Sequence, residues 1–202
     1  KIFSLLDKFI KEEGEIHGVS TMGSDIPHIV ATIADYLNTP SISKNTGELA
    51  TNKFEMKKQF IKHGVYTPSF ILANNPQEII NAFKKLGNQL VIKPLDQAGS
   101  RGVSLIDKSS DITKLWKNAL ENSRSDVVIV EQFLKGPQIS TESIVYDGRI
   151  YTPGFADRNY DDLETYLPQI MENGGWVPSL YNKKKEIIEK EVLRAANSIG
   201  LM

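Results

Sequence analysis

Two lysines and a glycine-bearing loop carry the strongest chemical signal in this sequence. Lys93 closes the apolar run Leu90–Ile92 and is followed by Pro94. The loop then ends Gly99-Ser100-Arg101-Gly102 before a second apolar run, Val103–Ile106. Glycines between adjacent strands let backbone N–H groups turn inward around an anion. Ser100 adds a hydroxyl, and Arg101 adds a planar charged fork suited to phosphate. Lys93 supplies an ammonium group fixed at a strand end. These are the parts needed to hold a polyphosphate. The same stretch also reads as a long hairpin loop without a ligand, with Lys93 reaching solvent. Glycine spacing alone does not separate the two readings.

The elements around the loop are legible from periodicity. Ile2, Phe3, Leu5, Leu6, Phe9 and Ile10 form an amphipathic helical stripe. "IHGVST" reads as a short strand and Met22–Asp25 as a loop. Asp25 is placed to cap a helix with Pro27 in its first turn. A helix then starts near Asn52, with Glu55 in a capping box, and stops at Gly64. Next come a strand at Phe70–Leu72, a helix at Pro76–Leu86, a strand at Leu90–Lys93, the loop, and its partner strand Val103–Ile106. A helix at Asp111–Asn122 and a strand at Val127–Val130 complete a βαββαβ unit. Asp147-Gly148 is a type I′ hairpin signal between Ile139–Val145 and Arg149–Phe155. Asn159–Asn182 reads as irregular, and Lys183–Ile199 as a long helix.

Composition excludes several classes. A formal charge of -1 gives no basic field for nucleic acid, and no apolar run is long enough to span a membrane. The absence of cysteine removes disulfides and thiolate metal sites, which points to a reducing cytoplasm. The first residues lack a signal-peptide cleavage site. Gly18 and Gly23 have P-loop glycine spacing, but Ser24-Asp25 stands where Lys-Ser/Thr is required. No G-x-G-x-x-G, H-E-x-x-H or G-x-S-x-G occurs. His17, His28 and His63 are scattered and read as surface or satisfied residues.

The order of parts is more specific than any one of them. "NKFEMKKQFIKHGVYTPSF", "LVIKPLDQAGSRGVSLI", "VVIVEQFLKGPQISTESIV" and "YDGRIYTPGFADRNYD" together resemble the ATP-grasp superfamily. The likeness is to the branch with the carbamoyl-phosphate synthase large subunit and carboxylate–amine ligases. It covers about Gly18–Met202. It implies an α/β chain with an α+β lid: an ATP-grasp fold, incomplete, preceded by the tail of an α/β domain. The implied division is 1–45 as that tail, 46–66 as a linking helix, 67–130 as the lid, and 131–202 as the first part of the body. Lys53 matches a lysine reaching the nucleotide phosphates, and Lys93 the lysine on the α- and β-phosphates. Gly99, Ser100, Arg101 and Gly102 match the loop that closes over the triphosphate. Glu131, Gln132, Phe133 and Leu134 match the connector whose backbone meets the adenine edge. Gln138, seven residues after Glu131, stands where the family often has a glutamate on the ribose hydroxyls. Without the charge, one such bond remains available.

The implied function is an ATP-dependent ligase joining a carboxylate to an amine or ammonia through an acyl phosphate. The implied cofactors are ATP and magnesium, with the magnesium ligands expected after the end of this chain. No Glu-x-Asn occurs, and Asp157-Arg158-Asn159 reads as a loop too early for the metal pair. Arg158 is a weak candidate for contact with a substrate carboxylate or phosphate; a surface arginine is the alternative. The expected partners are ATP and a small carboxylate-bearing substrate, without nucleic acid or membrane. A second copy of the chain, or further residues, is expected beside Val19–Thr21, because the earlier strands of its sheet are absent and it would lack neighbours. Two rivals stand beside the ligase: a non-catalytic nucleotide-binding or regulatory module, and a scaffold with an empty site.

Overall fold

The computed structural model describes residues 1–201; Met202, the last residue of the expected body segment, lies outside the described residues. Its core is built on β1 (Phe70–Ala73), α5 (Pro76–Leu86), β2 (Leu90–Pro94), β3 (Ser104–Ile106), α6 (Ile112–Glu121) and β4 (Val128–Gln132). The four strands form one antiparallel sheet in the order β1-β4-β2-β3. Period-2 alternation sends Leu90, Ile92 and Pro94 into the core and turns Val91 and Lys93 to the opposite face. On the core face, α5 contributes Ile79, Ala82, Phe83 and Leu86, and α6 contributes Ile112, Leu115 and Ala119. These are the spacings of single helical stripes. Asn75 and Asp111 cap the two helices by accepting from the N–H groups of Glu78 and Lys114.

The opposite face of the sheet receives α4 (Lys53–Lys62). Phe54 packs edge-on against Phe70 with ring centroids 5.6 Å apart, and the Lys57 ammonium lies over the same ring. Asn52 caps α4, its side chain accepting from Phe54 N and Glu55 N. The expected 46–66 helix is therefore two. α3 (Lys44–Thr51) ends where Asn52 turns extended at ψ 103°, and α4 restarts at Lys53. Upstream, α1 (Ile2–Glu13) forms as its stripe indicates, but none of its residues is fully buried.

Two expectations for the first 45 residues are corrected. "IHGVST" is not a strand: Ile16–Thr21 has no ladder partner among the described residues, and an unpaired strand has nothing to satisfy its backbone. The cap of α2 (Pro27–Tyr36) is Ile26, not Asp25. With Pro27 as the first helical residue, Asp25 lies one position too far out.

A second sheet follows in the order β5-β6-β7, from β5 (Gln138–Tyr146), β6 (Arg149–Asn159) and β7 (Gly174–Trp176). Asp147 and Gly148, at φ +49° and +67°, make the primed hairpin turn. The stretch expected to be irregular contains the short α7 (Leu163–Tyr166) and β7. Asp157-Arg158-Asn159, expected as a loop, is the end of β6. A short 3-10 turn at Asn182–Lys184 leads into α8 (Lys185–Ser198), which returns to the α4–β1 corner. There Glu191 accepts from Tyr66 N and Arg194 donates to Gly64 O. Among the described residues no helix is long and apolar enough to cross a membrane.

Helices α2 and α3 cross at a glycine. A Cβ on Gly47 would stand 2.8 Å from His28 Cα and 3.0 Å from Pro27 O, both backbone atoms. Gly47→Ala therefore lowers stability by about 1–2 kcal/mol, because overpacking outweighs the gain in helix propensity. Urea unfolding checks this; an unchanged or higher midpoint would show that the two helices separate freely.

Candidate functional site

An open cleft of about 790 Å³ lies between the sheet face that carries Lys93 and the start of the second sheet. Its walls include Lys53, Val91, Lys93, Gly99, Ser100, Glu131, Gln132, Phe133, Leu134, Gln138 and Arg158. Residues spread from position 53 to 158 thus converge because α4 and β2 share one sheet face and β4 runs directly into the connector and β5.

Lysines 53 and 57 are one helical turn apart on α4, so both face the sheet. Lys53 is tied to the strand-end loop: its backbone N donates to Leu95 O at 3.0 Å, and its ammonium to Gln97 O at 2.5 Å and Leu95 O at 3.4 Å. Burial holds the Lys53 pKa below the ordinary lysine value; Lys93 lowers it further, while Asp96 and Glu131 pull it back up. Glu131 is the electrostatic centre. Its Oε2 lies 2.9 Å from the Lys93 ammonium and 3.3 Å from that of Lys57. Lys57 also donates to Thr67 Oγ1 at 2.8 Å. Burial lowers the Lys57 pKa, with Glu131 acting against it and Lys93 with it. The other carboxylate oxygen, Glu131 Oε1, is buried without a hydrogen-bond partner. A buried acceptor left unpaired costs about 1–3 kcal/mol.

The glycine loop is shaped by left-handed backbone. Gly99, Ser100 and Gly102 have φ of +68°, +56° and +69°. Asp96 pins the loop base by accepting from Ser123 Oγ and Arg124 N. Arg101 does not line the cleft; its Nε donates to Ala98 O across the turn. Gly102 also lies off the wall. A Cβ there would approach Asn122 Cβ and Pro94 Cγ at 3.0 Å, so its glycine serves close packing against α6. On the connector, Phe133 N donates to Gln89 O, while Leu134 N makes no hydrogen bond among the described residues.

The far wall holds residues that local sequence did not indicate. Tyr160 and Ile170 reach the cleft from beyond β6. Arg158 pairs across the sheet with Gln138 and donates through Nε and Nη2 to Glu172 Oε2, so its charge is already engaged. Asp157 accepts from Ser179 Oγ and Leu180 N, and Asn159 Oδ1 accepts from Asp161 N. The Asp-x-Asn is thereby occupied in shaping the chain. Lys57 had a readable signal, its i+4 spacing from Lys53; Tyr160 and Ile170 had none.

Magnesium finds no matching donor set. No group of three or more His, Cys, Asp or Glu side chains among the described residues could hold a metal ion. Glu131 on the cleft wall is engaged by lysines, and Glu172 by the cleft-lining Arg158.

Residues 58–138 match the ATP-grasp domain family. D-alanine–D-alanine ligase B of Pseudomonas syringae pv. tomato is 26% identical over 157 residues, 76% of this chain and 47% of that protein. Among solved structures, an L-amino acid ligase from Bacillus licheniformis superposes with TM-score 0.77 at 21% identity, over 98% of this chain and 45% of its own. The biotin carboxylase domain of Hydrogenobacter thermophilus 2-oxoglutarate carboxylase gives the same TM-score at 16% identity, over 98% and 45%. The chain spans about half the length of the D-alanine–D-alanine ligase that it matches. The ATP-grasp domain match over residues 58–138 takes in the βαββαβ sheet, and the likeness in fold to solved ligase and carboxylase structures extends over nearly the whole chain.

Proposed function

We propose that this chain is the ATP-binding part of a ligase that joins a carboxylate to an amine or ammonia. The observation that carries the reading is the convergence, in one cleft, of two lysines from separate elements, a left-handed glycine loop and a connector whose Leu134 N–H makes no hydrogen bond among the described residues. Within this reading 67–130 is the lid, 131–202 the first part of the body, and 1–45 the tail of a preceding α/β domain. ATP bound here supplies the phosphoryl group that activates the carboxylate as an acyl phosphate. Lys53 and Lys93 offset phosphate charge, and the N–H groups around Gly99 and Ser100 hold phosphate oxygens. Phe133 and Leu134 border the base, and the free Leu134 N–H is a donor for its edge. That donor meets the bare N1 of adenine; guanine carries a proton on N1 instead, donor against donor. The similarity to D-alanine–D-alanine ligase supports the ligase class and leaves the two joined substrates open to assay.

Calorimetric titration of the chain with ATP and with GTP tests the site. ATP binds, and GTP binds at least about tenfold more weakly. Proton uptake is a second readout. Phosphate charge raises the Lys53 pKa above its lowered value in the empty cleft. Between those two pKa values the complex holds more protons than the free protein, so affinity is full below the empty-cleft pKa and falls as pH rises through it. Alkaline titrations in buffers of different ionisation enthalpy detect the uptake. Equal binding of both nucleotides, or binding that releases protons, would sink this assignment.

A further inference from the structure

The segment between β6 and β7, residues 160–173, crosses from the second sheet to the edge of the first. β3 is the end strand of its sheet, with β2 as its one neighbour there. On its other side Leu105 N donates to Pro168 O at 2.7 Å, and Ser104 forms an antiparallel bridge with Gln169. This is addition of a short strand to an open sheet edge by the chain itself. The base of the strap is closed on itself. Asn173 N donates to Asn159 O at 3.1 Å, its side chain donates to Asp162 at 2.8 Å, and Glu172 pairs with Arg158. Beside the bridge the strap places Ile170 on the cleft wall, and at its start it places Tyr160 there. Most strap side chains are exposed, so the edge hydrogen bonds, rather than buried apolar area, hold it to β3. Contacts of that kind open locally at low cost.

We propose that the strap is a latch on the nucleotide cleft. Its pairing with β3 ties lid to body across the cleft mouth, and nucleotide enters and leaves through release of that pairing. The inference rests on the nucleotide-binding reading above and adds a gate to it. The chain has no cysteine, so the latch can be locked reversibly. Partners in an antiparallel bridge lie about 4.5–5.5 Å apart at Cα, within disulfide reach.

The test is the double variant Ser104→Cys/Gln169→Cys with methylanthraniloyl-ADP as probe. Oxidised, it loads and releases the probe at least about tenfold more slowly than the wild type, and reductant restores the wild-type rates. Pro168→Gly, which loosens the strap but keeps its carbonyl, does the opposite. Release becomes several-fold faster, and amide exchange rises at Leu105 but not at Ile92 or Val130. Failure of the disulfide to form would overturn the pairing. Probe exchange indifferent to the lock would overturn the latch while leaving the nucleotide site intact. No probe binding by the wild type would overturn both.

Discussion

Glu131→Ala lowers the stability of this protein by about 3–5 kcal/mol, the cost of leaving buried charge uncompensated. The Glu131 side chain is 5% exposed and the Lys57 side chain 10%. Lys57 and Lys93 meet at one carboxylate oxygen, so alanine leaves two ammonium groups facing a hole. Lys93, at 21% exposure, can swing toward the cleft and recover hydration. Lys57 is held by Thr67 and the Phe70 ring and cannot. Glu131→Gln keeps the shape and one acceptor, and falls between. Lys57→Met combined with Glu131→Gln removes the stranded charge, so the pair loses less than the sum of its single variants. Urea unfolding with matched m-values measures the wild type and all four variants. A Glu131→Ala midpoint within about 1 kcal/mol of the wild type would show that the site is solvated rather than buried.

The sheet and its two helices were readable because each signal was local. Pro76 and Gly87 bracket one helix, and Asp111 and Asn122 cap the other. Period 2 along Leu90–Lys93 separated the buried from the cleft-facing residues. Lys53, Lys93 and the connector were legible through the order of parts. The electrostatic centre was not, since Glu131 entered the sequence reading as a backbone contact. Its side chain acquires a role only when α4 brings Lys57 across the sheet from 74 positions away. The sequence suggests a loop at Arg158 because nothing local tells how far a strand continues. Its pairing with Gln138 and Gly175 is set by partners distant in sequence. The same holds for "IHGVST", which has strand composition but no ladder, and for the strap, whose edge bonds join positions 105 and 168.

Lys53→Ala and Lys93→Ala each weaken ATP binding by about 1.5–3 kcal/mol, the value of a charge-assisted phosphate contact. That is roughly a ten- to 150-fold rise in Kd. The two lysines arrive by different routes, one at the start of α4 and one on β2, so neither substitution displaces the other backbone. Loss of Lys93 leaves Glu131 its contact with Lys57, and the fold therefore survives. Loss of Lys53 frees the carbonyls of Leu95 and Gln97, so the glycine loop also becomes more mobile. The double variant loses more than the sum of the two. Lys93 holds down the Lys53 pKa, so removing Lys93 makes the remaining ammonium a better cation and partly compensates. Lys58→Ala is the control: it lies on the same helix, pairs with Glu55 at 2.8 Å, and does not line the cleft. Titration calorimetry at two salt concentrations reads the result, and the salt dependence of binding shrinks with each lysine removed. Wild-type affinity in both single variants and in the double variant would show that phosphate does not bind between α4 and β2, and the cleft would lose its assignment.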